Sequence, residues 1–201
     1  MFTNWHDITK RSIKPMEGGI VTAQIQWELY ELINLYDELQ PRHVLEIGSQ
    51  FGGTLYYWLE GAEEGAKVAN IDILQNMKPD DAESLPDRWA SWAPVGVDYK
   101  TFIGRSDEPQ IYEEVIQFLD GEIDFLFIDA DHSYEGAKRD FCKYGQHVRK
   151  DGMIALHDLV TPDFSPHIQV GRLWREIQAA GYRTQELQAG AKFGGIGVVY
   201  V

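Results

Sequence analysis

Apolar side chains recur along the chain at two spacings, and the alternation between them predicts the elements. Ile25, Leu29, Leu32, Ile33, Tyr36 and Leu39 return at helical spacing and Pro41 stops the pattern. An amphipathic helix over 22–39 is therefore expected on one face of a sheet, inside an N-terminal helical cover spanning 1–40. His43-Val-Leu-Glu-Ile47 is a short apolar strand that runs into Gly48-Ser-Gln-Phe-Gly-Gly-Thr54, and a helix follows to about residue 60. Further strands are predicted over 67–73 and 99–104, the second leading to a helix that carries Ile111, Val115, Phe118 and Leu119. Phe125-Leu-Phe-Ile128 is apolar at consecutive positions, as in a strand covered on both faces. Tyr134, Ala137, Phe141, Tyr144 and Val148 mark the next helix, and Asp151-Gly152 turns the chain into a strand over 153–156. Leu173, Trp174 and Ile177 mark a last helix that Gly181 closes. The segments 182–187 and 197–201 are joined too closely for a parallel crossover, so they predict an antiparallel hairpin.

Strands alternating with helices require a mainly parallel sheet, because each right-handed crossover packs its helix back on the sheet. The expected fold class is α/β: one domain over 1–201, with a mainly parallel seven-stranded sheet, helices on both faces and an antiparallel C-terminal hairpin. The stretch 74–97, with three prolines, Trp89 and Trp92, reads as an irregular interval, either an insertion over the site or a surface excursion.

Charge narrows the partners. Thirty-two acidic side chains against eighteen basic ones give a formal charge of -14, which repels nucleic acid and anionic membranes alike. No apolar run approaches the roughly 20 residues of a bilayer span, and Met1 to Lys14 lacks the order of a signal peptide. A cytoplasmic protein is expected, with homo-oligomerisation left open. The single cysteine, Cys142, has no internal disulfide partner and reads as a small buried hydrophobe.

Two constellations carry chemistry. Gly48, Gly52 and Gly53 occupy the first strand-to-helix turn, where backbone approaches a ligand most closely, and Asp72 follows at the interval of a ribose-binding carboxylate. A nucleoside-containing ligand is implied, although Gly53 also serves simple helix packing. The dinucleotide pattern G-x-G-x-x-G is not met, since Gln50 stands at its third position. The second constellation is Asp129-Ala-Asp131-His132-Ser133-Tyr134, with His157-Asp158 after the next strand. Carboxylates grouped at adjacent strand ends raise one another's pKa unless a cation or histidine compensates. Mg²⁺, held by one or two carboxylates and completed by water and substrate oxygen, would compensate. Asp131 and Ser133 also suit a helix cap, and His157 suits a hydrogen-bonded place in the sheet edge.

Glu46-x-Gly48-x-Gln50-x-Gly52 resembles the S-adenosylmethionine (SAM) motif of class I methyltransferases, acidic-x-Gly-x-Gly-x-Gly, with Gln50 at the central glycine. The same piece resembles metal-dependent O-methyltransferases of the catechol type, which tolerate that departure. That resemblance implies that Glu46, Gly48, Ser49, Gln50 and Gly52 meet the amino-acid end of SAM, that Asp72 holds the ribose, and that Arg105, Ser106 and Asp107 lie by the adenine. Over about residues 40–160 the chain is similar to cephalosporin-biosynthesis and rhamnosyl O-methyltransferase-like proteins and to macrolide-sugar O-methyltransferases. This similarity implies a Rossmann-like methyltransferase fold, Asp129 and Asp158 as metal ligands with Asp129 also beside the cofactor, and His132 as general base. Catechol-type enzymes follow the second aspartate with asparagine; here Leu159 stands there and His157 is the substitute ligand. The implied activity is SAM-dependent O-methylation of a small-molecule hydroxyl, on a sugar or natural product, assisted by Mg²⁺ or another divalent cation. Two alternatives stay open: a nicotinamide-dependent oxidoreductase, and a SAM- or nucleotide-sensing module that would not need His132.

Overall fold

The computed structural model describes residues 22, 24–75, 77–161, 165–188, 190 and 192–201. Among the described residues the first helix, α1 (Gln26–Leu39), ends where Gln40 turns left-handed ahead of Pro41. Strand β1 (His43–Ile47) and helix α2 (Gly53–Glu60) follow, then β2 (Lys67–Asp72), α3 (Pro79–Ala90) and β3 (Asp98–Ile103). Helix α4 (Pro109–Leu119) opens on a proline, whose missing N–H has no partner to lose in a first turn. Then come β4 (Ile123–Ile128), α5 (Tyr134–Gly145), β5 (Val148–Val160), α6 (Val170–Ala179), β6 (Arg183–Leu187) and β7 (Gly194–Tyr200).

The seven strands form one sheet in the order β3-β2-β1-β4-β5-β7-β6. β1 to β5 run parallel, and β7 lies antiparallel between β5 and β6. The expected α/β fold, with its mainly parallel sheet and antiparallel C-terminal hairpin, is therefore found. Alternation along the strands divides the core. Leu45 and Ile47 of β1 and Leu126 and Ile128 of β4 pack with α4, α5 and α6. Val44, Phe125 and Phe127 point the other way, against Tyr36, Trp58 and Trp89 from α1, α2 and α3. Connections from β1 lead outward to β2 and β3 on one side, whereas β4 and β5 lie on the other. The sheet thus switches direction between β1 and β4, where a crevice opens beyond the strand ends.

Three local expectations are corrected. The interval 74–97 is not irregular: it holds α3, in which Leu85 and Trp89 fall one turn apart and are buried. Their burial outweighs the cost of Pro86 inside the helix, about 3 kcal/mol. Val148 does not end a helix but opens β5, which at 13 residues is far longer than the apolar run 153–156. Cys142 is exposed rather than buried, because the apolar stripe of α5 runs through its neighbours Tyr134, Ala137 and Tyr144. The part of the N-terminal cover before residue 22 lies outside the described residues.

Candidate functional site

The turn after β1 exists because glycine permits it. Ile47 and Ile128 are register partners, so β1 and β4 end side by side on one rim. A Cβ on Gly48, at φ +89°, would stand 2.2 Å from the carbonyl oxygen of Asp129; only glycine lets the two segments pass. Gly52, at φ +85°, is equally constrained, but by the core: a Cβ there would meet the Trp89 indole nitrogen at 2.2 Å. That nitrogen donates to the Phe51 carbonyl at 3.3 Å and ties the turn to α3. Asp72 holds the turn from below. Its Oδ2 accepts the amides of Ser49 and Gln50 at 2.7 and 2.8 Å, and its Oδ1 accepts the Leu74 amide at 2.6 Å.

Register places Glu46, Asn70 and Thr101 abreast on β1, β2 and β3, and the three anchor a buried polar chain under the turn. Glu46 accepts hydrogen bonds from the hydroxyls of Ser49 and Thr54. Asn70 donates to Ser49 Oγ at 2.9 Å and accepts from Tyr99 and Thr101, each at 2.8 Å. Burial pushes the Glu46 carboxyl up to about 8, against the lowering effect of those hydroxyls. Glu46 and Gly52 thus support the turn from within. Neither borders the cavity described below; one braces the turn and the other admits Trp89.

The acidic and imidazole group stands on the same rim. Asp129 Oδ1 lies 3.1 Å from His132 Nε2 and 3.2 Å from His157 Nδ1, and its Oδ2 accepts from the Gln24 amide at 2.8 Å. Asp158 approaches the same two rings, Oδ2 at 3.3 Å from His132 Nε2 and Oδ1 at 3.5 Å from His157 Nδ1. Burial opposes ionisation of Asp129, but the two histidines outweigh it and bring its carboxyl down to about 2. His132 is raised, first by its hydrogen bond to Asp129 and against desolvation. Burial disfavours the charged form of His157, yet the Asp129 and Asp158 carboxylates lift it to about 10. Donor atoms of Asp129, His132 and Asp158 all lie within 4.8 Å of one another. Ser133, not Asp131, caps α5, its Oγ accepting the Gly136 amide at 3.1 Å; Asp131 accepts the Ser133 amide at 3.0 Å.

One cavity of about 750 Å³ joins the two constellations. Gly48, Ser49, Gln50 and Asp72 line it together with Asp129, His132, His157 and Asp158, and with Arg105 and Ser106. Arg105 is held by Asp107 at 2.9 and 3.2 Å, and Ser106 donates to the buried Asp140 at 2.7 Å. Trp89 belongs to the core and not to this wall. Sequence reading missed Gln24, Thr54, Asn70 and Arg139. Asn70 had a signal, a lone polar side chain inside an apolar strand; Gln24 had none, being 105 positions from its partner Asp129.

A crevice at the β1/β4 switch, an acidic residue ending β2 and a seventh strand inserted antiparallel define the class I SAM-dependent methyltransferase fold. The chain belongs to the methyltransferase-domain family, whose model matches residues 45–159. An O-methyltransferase from Bacillus cereus, solved in complex with SAH, superposes with a TM-score of 0.65 at 18% identity, over 100% of this chain and 92% of that one. The O-methyltransferase TomG from Streptomyces achromogenes, involved in tomaymycin synthesis and solved with SAM, gives 0.67 at 17%, over 97% and 89%. The MycE methyltransferase of the mycinamycin pathway, solved with Mg and SAH, gives 0.61 at 14%, over 100% of this chain and 55% of that one. At such identities the likeness is one of fold. Over 70 residues the chain is 36% identical to a protein of Acanthamoeba polyphaga mimivirus whose function is uncharacterised. That match spans 34% of this chain and 32% of the relative, so the chain accounts for about a third of the relative's length. No helix among the described residues is long and apolar enough to cross a membrane.

Proposed function

We propose that the protein transfers the methyl group of SAM to a hydroxyl of a small molecule, a sugar or a natural product. The observation that carries this reading is the shared cavity, in which the glycine turn and the Asp129–His132 pair face one space with Gly48 against Asp129. Asp72, Arg105 and Ser106 would hold SAM along the turn, in the same cavity as His132. The acceptor oxygen attacks the methyl carbon, the carbon–sulfur bond breaks with its electron pair left on sulfur, and S-adenosylhomocysteine remains. The hydroxyl proton passes to the His132 ring, and the Asp129 carboxylate, 3.1 Å from its Nε2, stabilises the imidazolium that forms. Holding both reactants in line supplies much of the rate.

The donor set also fits a divalent cation: the Asp129 and Asp158 carboxylates and the His132 imidazole have ligand atoms within 4.8 Å of one another. Asp129 and Asp158 would hold it, and when bound it supplies Lewis acidity toward an acceptor hydroxyl. The expectation of Mg²⁺ belongs to this proposal. Chelation should then lower methyl transfer, as should Asp129→Ala and Asp158→Ala.

Calorimetry with SAM and with NAD, followed by an acceptor screen reading S-adenosylhomocysteine release, tests the whole reading. SAM binding and turnover of a hydroxylated acceptor are expected. Heat with NAD and none with SAM would overturn it, and SAM binding with no turnover across the acceptor panel would point to a sensing module.

A further inference from the structure

We propose that Asp140 is a positioning residue: it fixes the Ser106 hydroxyl as a hydrogen-bond acceptor toward the cavity and so selects a purine that carries a 6-amino group. The inference rests on the SAM reading above. Asp140 lies on α5, is fully buried and takes no part in the transfer step. Its Oδ1 accepts the Ser106 hydroxyl at 2.7 Å, and its Oδ2 has no hydrogen-bond partner among the described residues. Side chains three and four places on, which share its helix face, complete the grip: Lys143 Nζ and the Tyr144 hydroxyl donate to the Ser106 carbonyl at 3.0 and 2.8 Å. One face of α5 thus holds Ser106 by its side chain and by its backbone. A buried carboxylate with an unmatched oxygen is costly, and here its hydrogen bond goes to a residue of the cavity wall.

Hydroxyl chemistry turns this grip into a preference. A serine hydroxyl has one proton and two lone pairs, whereas an ionised carboxylate can only accept. The Ser106 proton is committed to Asp140, so its Oγ presents lone pairs to the cavity, which attract a donor and repel a second acceptor. Arg139 Nε, 3.9 Å from Asp140 Oδ1, places positive charge beside the carboxylate.

Strand order decides which part of the cofactor arrives there. Backbone bonds stitch the rim together: the Asp129 amide donates to Ile47 at 2.8 Å, Gly48 to Ile71 at 2.9 Å and Gly104 to Asp72 at 3.0 Å. His132 follows β4, the glycine turn follows β1, Asp72 ends β2 and Ser106 follows β3, so the four stand in that order across the rim. With the methyl group at His132 and the ribose at Asp72, the base is the part that reaches Ser106. Adenine brings an amino donor to the lone pair; a 6-oxo purine brings an oxygen.

Calorimetry of the full chain with S-adenosylhomocysteine and with S-inosylhomocysteine, its 6-oxo counterpart, tests the assignment. Burial raises the Asp140 carboxyl above the ordinary aspartate range, against the Ser106 hydroxyl and Arg139, so binding is measured at pH 8, where the carboxyl is ionised. The wild type should bind the adenosyl compound at least about ten-fold more tightly. Asp140→Ala frees the Ser106 proton to turn to the cavity, and Asp140→Asn can donate to Ser106 as well as accept; either should bring the two affinities within about three-fold. Ser106→Ala removes the hydroxyl and leaves the core carboxylate in place; it should do the same, and keeps the test decisive if neither Asp140 variant folds. A purely structural Asp140 would move the urea midpoint of its variants and leave the affinity ratio at the wild-type value. That result, an unchanged ratio in Ser106→Ala, or a wild-type ratio under about three-fold would overturn the inference and leave the SAM reading standing. Binding of neither compound by the wild type would end the SAM reading itself.

Discussion

His132 and Glu46 show how differently a buried contact acts on two ionisable groups. The hydrogen bond from His132 to Asp129 favours the charged ring, so its pKa lies above the ordinary histidine value. A base must be neutral to accept a proton, and the rate should fall as pH drops through that raised pKa. The acid limb of kcat/KM against pH should therefore sit above pH 6.5, and His132→Ala should lower the rate by about 10²–10⁴ and remove the limb. Glu46 is raised to about 8 by burial, so the folded protein keeps a proton that the unfolded chain has already lost. Its contribution to stability is complete below the usual carboxylate range and disappears as pH rises toward 8. Urea unfolding should show the wild type losing on the order of 1–3 kcal/mol more stability than Glu46→Gln between pH 5 and pH 8. What Glu46 and Gly52 face was not legible in the sequence, because a motif gives positions, not directions. Glu46 faces Thr54 and Ser49 across the strand, and Gly52 faces the Trp89 ring.

At the scale of elements, the glycine turn and β5 do the positioning. A side chain on Gly48 would collide with backbone, which cannot swing aside as a side-chain tip can. Gly48→Ala should cost more than about 2 kcal/mol in chemical denaturation, and SAM binding by calorimetry should weaken with it. Apolar periodicity made most elements readable, since a helix or strand must bury one face whatever its neighbours are. It failed at α3, where three prolines masked a helix that burial of Leu85 and Trp89 stabilises. It failed again at β5, whose ends Val148 and Val160 extend by pairing with β4 and β7 rather than by apolar content.

For the whole molecule, binding is linked to stability. SAM at about 100 times its Kd should add about 2.7 kcal/mol, seen as a rise in Tm of about 5–10 °C, while NAD at the same concentration should leave Tm unchanged. Strand order and the parallel-then-antiparallel sheet were legible because crossover length and handedness leave few ways to connect such elements. The glycine turn and the two Asp/His segments were legible as chemistry because small or charged residues at strand ends have few other uses. What the chain could not display was distance: that Gln24 reaches Asp129, that Asn70 bridges Ser49 and Tyr99, and that His157 and Asp158 turn to one side together. Those facts depend on register and on a single left-handed residue, Asp158, which are set only when non-adjacent strands pair and a shared interior forces the backbone to yield.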